Sequence, residues 1–279
     1  MKLCIRAHDL GVKGTEPILN RLEELGIDGV QMVCYKVYDE IPYVLGGITP
    51  EKAAEIGAAF AEKGAIIPLV GAYFNPVHSD REKAACCEGI FAEYLKLCRS
   101  IGCRYVGSET GSYSDDPWVY HPKNRTEEAL EVVAETFSRL CDVAAEHGSM
   151  VAMEGAAGHV CYDVDALAKV RRMMGKPTKV IFDLYNYLDA ANQMDYLSIL
   201  DKGLEVFKGE ILLFHMKDCL LQSGAAPKQV PLGTGDFDMR AILKRIKAYD
   251  ENAILTLEET TGDHIVHAVT TIKEIWESV

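Results

Sequence analysis

Short apolar runs alternate with longer stretches in which apolar residues recur every three or four positions, and the alternation continues along the whole chain. The short runs read as strands at 2–8, 29–36, 66–74, 104–109, 150–154, 178–183, 211–217 and 253–258. The longer stretches read as amphipathic helices. In 126–148, Leu130, Val133, Phe137, Leu140 and Ala144 share one face and charged residues the other. Thr49 before Pro50 fits a helix cap with a first-turn proline, and Ser79 with Glu82 fits a capping box. Gly26, Gly64, Gly102, Gly148, Gly175 and Gly209 each precede a strand, where a left-handed residue ends a helix. Before the eighth strand "YDEN" replaces that glycine.

Eight strand–helix units with no proline-rich linker predict an α/β fold, a single (β/α)8 TIM barrel forming one domain over residues 1–279. An open doubly wound sheet is the alternative. It would usually carry G-x-G-x-x-G after the first strand, where this chain reads "HDLGVKG".

Composition narrows the partners. The net charge of −13 repels DNA, RNA and anionic membrane surfaces, and no run of basic residues offsets it. Nine cysteines without a C-x-x-C, several within apolar segments (Cys4, Cys34, Cys141), read as reduced thiols in a cytoplasmic protein. Of the adjacent Cys86 and Cys87, helical spacing packs one and exposes the other. The first residues, "MKLCIRAHDLG", have no apolar core of signal-peptide length and no later stretch reaches membrane-span length, so a cytosolic protein is expected.

In such a barrel the site forms at the C-terminal strand ends. Collected there are His8 and Asp9, Lys36, the segment from Tyr73 to His78, Glu109, Glu154, Asp183 with Asn186, His215 with Lys217, and Glu258 with Glu259. Any one of these is commonly a loop residue or helix cap, so the set carries the weight. Glu154, Asp183 and Glu258 end the apolar runs "VAME", "VIFD" and "LTLE", where a carboxylate needs a partner. With His215 they offer three carboxylates and one imidazole, a donor set for one divalent cation: Mn2+ first, then Mg2+, Co2+ or Zn2+. Oxygen donors with open positions suit a catalytic ion. Glu258 is preferred to Glu259 because it shares a strand face with Thr256, whereas Glu259 falls with Leu255 and Leu257.

The strings "MEG" (153–155), "FDLYN" (182–186), "FHMKD" (214–218), "VPLGTGDFD" (230–238) and "LTLEET" (255–260), in this order, resemble the xylose isomerase-like TIM-barrel superfamily over essentially the whole chain. The superfamily holds sugar isomerases, ketose 3-epimerases, inosose dehydratases and nucleases of the endonuclease IV type. The resemblance implies metal ligation by Glu154, Asp183, His215 and Glu258, with the two glutamates also moving protons. It departs at Asn186, where many members carry histidine. The extra histidines of the three-zinc nucleases are missing, since strand two reads "VQMVCYK" and the later loop "SGAAPKQVPLG". Members often pair, which makes a homo-oligomer possible; the sequence leaves the oligomeric state open.

The expected activity is therefore a divalent-metal-dependent sugar isomerase or epimerase. A Lewis acid would bind a carbonyl and the adjacent hydroxyl, and Glu154 and Glu258 would shuttle a proton through an enediolate. The alternative is a dehydratase or lyase of a cyclitol or keto sugar; a nuclease or a noncatalytic sugar-binding barrel ranks lower. Lys217 shares the parity of His215. It either enters the site or pairs with a carboxylate such as Glu109, while Asp218 caps or orients the next loop. His8, Lys36, Asn75, His78, Glu109, His159 and Asn186 are candidate substrate contacts, and Trp118 and Tyr120 candidate roof residues. His147 suits a helix end, and His264 and His267 begin the last helix. "PLGTGDF" resembles a phosphate loop but holds no lysine or arginine, which favours an unphosphorylated sugar or cyclitol.

Overall fold

The computed structural model describes residues 1–116 and 119–279. The barrel strands are β1 (Lys2–Arg6), β2 (Gly29–Met32), β3 (Ile66–Gly71), β4 (Tyr105–Glu109), β5 (Met150–Glu154), β6 (Lys179–Asp183) and β7 (Ile211–Met216), closed by β10 (Ile254–Leu257). All neighbours are parallel, in the order β1-β10-β7-β6-β5-β4-β3-β2. A short antiparallel hairpin, β8 (Asp218–Leu220) with β9 (Lys228–Val230), extends the connection after β7.

The helices are α1 (Thr15–Leu25), the one-turn α2 (Cys34–Val37), α3 (Pro50–Glu62), α4 (Arg81–Leu97), α5 (Glu127–Glu146), α6 (Val164–Met174), α7 (Tyr196–Val206), α8 (Met239–Tyr249) and α9 (His264–Ser278). Their apolar faces pack on the outward residues of the strands to form the main core, in which Leu255 and Leu257 are buried. No described helix is long and apolar enough to cross a membrane.

Helix boundaries follow local chemistry. Thr49, Asp80, Thr126, Asp163 and Asp238 each accept a backbone N–H three residues on, satisfying a donor that the first turn leaves unpaired. The cap of α4 is thus Asp80 and not Ser79, because Ser79 turns to Asp115, its N–H donating to Oδ1 at 2.6 Å. All six glycines expected to end helices take positive φ, from 59° at Gly175 to 86° at Gly102.

Inside the barrel a small separate core of Leu69, Ala152, Ile181 and Leu213 plugs the floor. Gly107 completes that layer because a Cβ there would lie 2.6 Å from Ile181 Cδ1. This plug sets the site. Side chains alternate along a strand, so the residue two positions after an inward one points inward again, nearer the mouth. That step leads from Ala152 to Glu154, from Ile181 to Asp183, from Leu213 to His215 and from Thr256 to Glu258.

Five expected strands end early: besides the first two, β3 stops at Gly71 and not at Phe74, and β7 and β10 each stop one residue short. The early ends of the first two leave His8 in a 3-10 turn (Ala7–Leu10) and Lys36 on α2. Lys217 falls between β7 and β8.

Candidate metal centre

Glu154, Asp183, His215 and Glu258 converge at the mouth, and one donor atom from each lies within 4.8 Å of all the others. His215 Nδ1 is 2.7 Å from Glu258 Oε2, 3.2 Å from Glu154 Oε1 and 3.5 Å from Asp183 Oδ2. Its other nitrogen, Nε2, is 2.7 Å from Gln31 Oε1. The Gln31 amide nitrogen in turn donates to the Tyr73 hydroxyl, which fixes its carbonyl oxygen as the acceptor for His215. The imidazole therefore carries its proton on Nε2 when neutral and turns a lone pair toward the carboxylates.

Cations of the chain neutralise this acidic cluster. Lys217 Nζ, fully buried, is 2.9 Å from Asp183 Oδ2 and 3.2 Å from Glu258 Oε1. Lys217 thus both enters the site and pairs with carboxylates, and its partners are Asp183 and Glu258 rather than Glu109. Arg6 donates to Glu258 Oε1 at 2.7 Å and grips Asp9 through Nε and Nη2. Asp9 also accepts the backbone N–H of Glu259, whose side chain is exposed while Glu258 is 9% exposed.

The buried oxygens Asp183 Oδ2 and Glu258 Oε2 accept no well-aligned hydrogen bond, although cationic nitrogens lie close. Underused carboxylate oxygens facing an imidazole lone pair are the donor chemistry of a divalent cation, and these four residues fit one.

The two glutamates sit in opposed environments. Burial raises the pKa of Glu154 above the usual range, against the pull of His215. Burial acts on Glu258 too, but His215, Lys217 and Arg6 outweigh it and hold that carboxyl well below the usual range. Burial likewise opposes charge on His215, yet Glu258 and Glu154 keep its pKa well above the ordinary value.

Asn186 ties the centre together. Its amide nitrogen donates to Glu154 Oε1 at 2.9 Å, its carbonyl accepts from Lys217 Nζ at 3.0 Å, and its backbone N–H donates to Asp183 Oδ1. Glu109 ends β4 in register with Glu154, reached by the same two-residue step from Gly107. Burial and the charges of Glu154 and Glu258 push its carboxyl up to about 8.

Other candidates stand apart from the four donors. His8 and Lys36 meet on the β1–β2 side, Nε2 to Nζ 3.5 Å. His78 and Asn75 line a cavity next to Glu109. His159 is fully buried in the loop after β5, its N–H donating to Ala156 O. Tyr120 is about half exposed under the Arg125 guanidinium, and Trp118 lies outside the described residues. The glycine loop has spent its amides. Asp218 accepts the N–H groups of Cys219, Gly233, Gly235 and Phe237, so the chain's own carboxylate fills the position a phosphate would take.

Sequence reasoning missed Arg6 and Gln31. Both carried the signal used for the acids, a polar side chain of inward parity in an apolar strand.

Fold and quartet together define a parallel α/β barrel with a divalent-metal donor set at its mouth. The chain belongs to the xylose isomerase-like TIM barrel family, whose family model matches residues 19–275. No curated protein sequence matches it. Among solved structures it is similar to an IolI protein with a bound zinc atom, at 15% identity over 99% of this chain and 96% of that one, TM-score 0.74. A D-tagatose 3-epimerase-like protein matches at 15% identity over 100% and 98% of the two chains, TM-score 0.75. The 3-keto-D-glucoside 4-epimerase YcjR of E. coli matches at 14% identity over 99% and 98%, TM-score 0.73.

Proposed function

We propose that the protein is a divalent-metal-dependent sugar isomerase or epimerase that moves a proton between Glu258, Glu154 and a substrate carbon. The observation that carries this reading is the placement of the two glutamates. They stand at the outer ends of an arc, Glu154 on β5 and Glu258 after β10, with Asp183 and His215 between them. A carbon held over the arc has one carboxyl on each side.

Their opposed environments divide the work, since paired acids with pKa values pushed apart serve as base and acid. Glu258, kept ionised by His215, Lys217 and Arg6, removes the proton between a carbonyl and a hydroxyl. Glu154, pushed toward its neutral form, returns a proton on the opposite face, which is epimerisation; return to the adjacent carbon is isomerisation. Glu154, Asp183, His215 and Glu258 would hold the cation, which supplies Lewis-acid polarisation of the substrate oxygens. Mn2+ is the preferred ion. Lys217 and Asn186 border the reacting atoms and are assigned to substrate oxygens, with Glu109 on the far side. The ketose and ketoside epimerases among the similar folds support a sugar substrate, and the filled glycine loop supports an unphosphorylated one.

The test is a panel of ketoses, aldoses and cyclitols incubated with enzyme and Mn2+, the ion being chelated before NMR spectra are recorded. The reading requires conversion of at least one sugar to its epimer or aldose–ketose isomer. Dehydrated products alone, or no conversion, would refute it.

A further inference from the structure

Beside the quartet, the ends of β3 and β4, the start of α4 and the 42–47 loop enclose a cavity of 240 Å3, to which none of the four donors contributes. At the liquid volume of water this holds about eight molecules, enough for one sugar ring and too little for two. A substrate consisting only of the ring over the quartet would leave it to solvent.

The wall is preformed. The Tyr43 hydroxyl donates to Tyr73 O at 2.9 Å, and its ring packs on Tyr35 with centroids 4.5 Å apart, so the aromatic face cannot swing away. Phe74 continues that surface from the core.

Asn75 and His78 already have partners. Asn75 donates to Ser112 O at 2.7 Å and accepts from Val77 N at 3.1 Å. His78 Nδ1 accepts from Asp80 N at 3.0 Å, while its Nε2 faces Lys83 Nζ at 3.2 Å. Glu109 makes no hydrogen bond or ion pair among the described residues, and among the lining residues it is the one in strand register with Glu154. A fixed aromatic face with one unspent carboxyl is suited to the C–H face and one hydroxyl of a pyranose.

Resting on the sugar-epimerase reading, we infer that this cavity is a second saccharide subsite and that the substrate is a glycoside or disaccharide. Its reacting ring lies over the quartet, and its second ring packs on Tyr43 with a hydroxyl on Glu109.

The experiment compares D-fructose with maltulose, leucrose and palatinose, ketoses that carry glucose on different hydroxyls. Affinity is read by calorimetry and solvent-deuterium exchange by mass spectrometry, on the Mn2+-loaded full chain. At least one glucosyl ketose should bind about tenfold more tightly than fructose, and Tyr43→Ala should bring that ratio close to one. Glu109→Gln, which keeps the shape of the wall, should narrow the same ratio if Tyr43→Ala fails to fold. Equal affinities in the wild type, or both ratios unchanged in the variants, would overturn the subsite. Exchange of fructose without preference for any glycoside rejects the subsite and leaves the epimerase reading standing. A Tyr43-dependent preference without exchange does the reverse.

Discussion

His215 Nε2 sits 2.7 Å from Gln31 Oε1, and this contact decides which nitrogen faces the three carboxylates. Gln31 is fully buried and acts on the ligand through the ring's other side. Gln31→Leu should lower Mn2+ affinity about 10–100-fold with the fold retained, and Gln31→Glu, which keeps an acceptor, should recover much of it. Titration with Mn2+ checks this. Equal affinity in the leucine variant would show that the contact does not orient the ligand.

Lys217 places its charge between Asp183 and Glu258 at 2.9 and 3.2 Å, with all three side chains buried or nearly so. Removing one partner of a buried ion pair strands the other charge, so Lys217→Met should destabilise the metal-free protein by about 3–5 kcal/mol. A divalent cation would neutralise the same oxygens, and saturating Mn2+ should restore most of the loss. Urea unfolding with and without metal measures both effects.

The raised pKa of His215 sets the direction of pH dependence. Because the folded value lies above the unfolded one, the imidazolium contributes stability that is fully present below the unfolded pKa of about 6.5 and is lost as pH rises through the folded value. Metal binding needs the neutral ring, so it should release protons at pH 7, and affinity should rise with pH. Calorimetry in two buffers of different ionisation enthalpy counts those protons. No buffer dependence would contradict the assignment of His215.

Asp218 holds the 233–237 loop by accepting the backbone N–H groups of Gly233, Gly235 and Phe237, with that of Cys219 as a fourth. Asp218→Ala leaves those donors without their carboxylate and should cost about 3 kcal/mol, read as a lower urea midpoint. The wild type should show no stabilisation by inorganic phosphate at this loop, because the carboxylate already occupies it.

The barrel and the quartet were legible because both depend on short periodicities. Alternation within each strand put Glu154, Asp183, His215 and Glu258 on the inner face, and glycine marked where helices turn back to strands. What stayed hidden depends on distant partners. Gln31 is neutral and raises no electrostatic alarm, and its partners His215 and Tyr73 lie far along the chain. Arg6 looks like an ordinary strand end until barrel closure brings Glu258, 252 residues away, within 2.7 Å. The β8–β9 hairpin was missed because its strands are three residues each and lack an apolar alternation. The capping-box reading of Ser79 failed because Asp115, carried on another loop, captures that serine.

In the proposed reaction Glu258 and Glu154 exchange a substrate C–H proton with solvent. The most direct test of that exchange is deuterium incorporation, counted by mass spectrometry, into a ketose substrate incubated in D2O with Mn2+ and wild type, Glu258→Gln or Glu154→Gln enzyme. Wild type should place one deuterium on the carbon between carbonyl and hydroxyl. Glu258→Gln should place none, and Glu154→Gln should lose the inverted product. Wild-type rates of incorporation in both variants, or none in the wild type with any ketose or cyclitol, would rule out proton transfer by this pair.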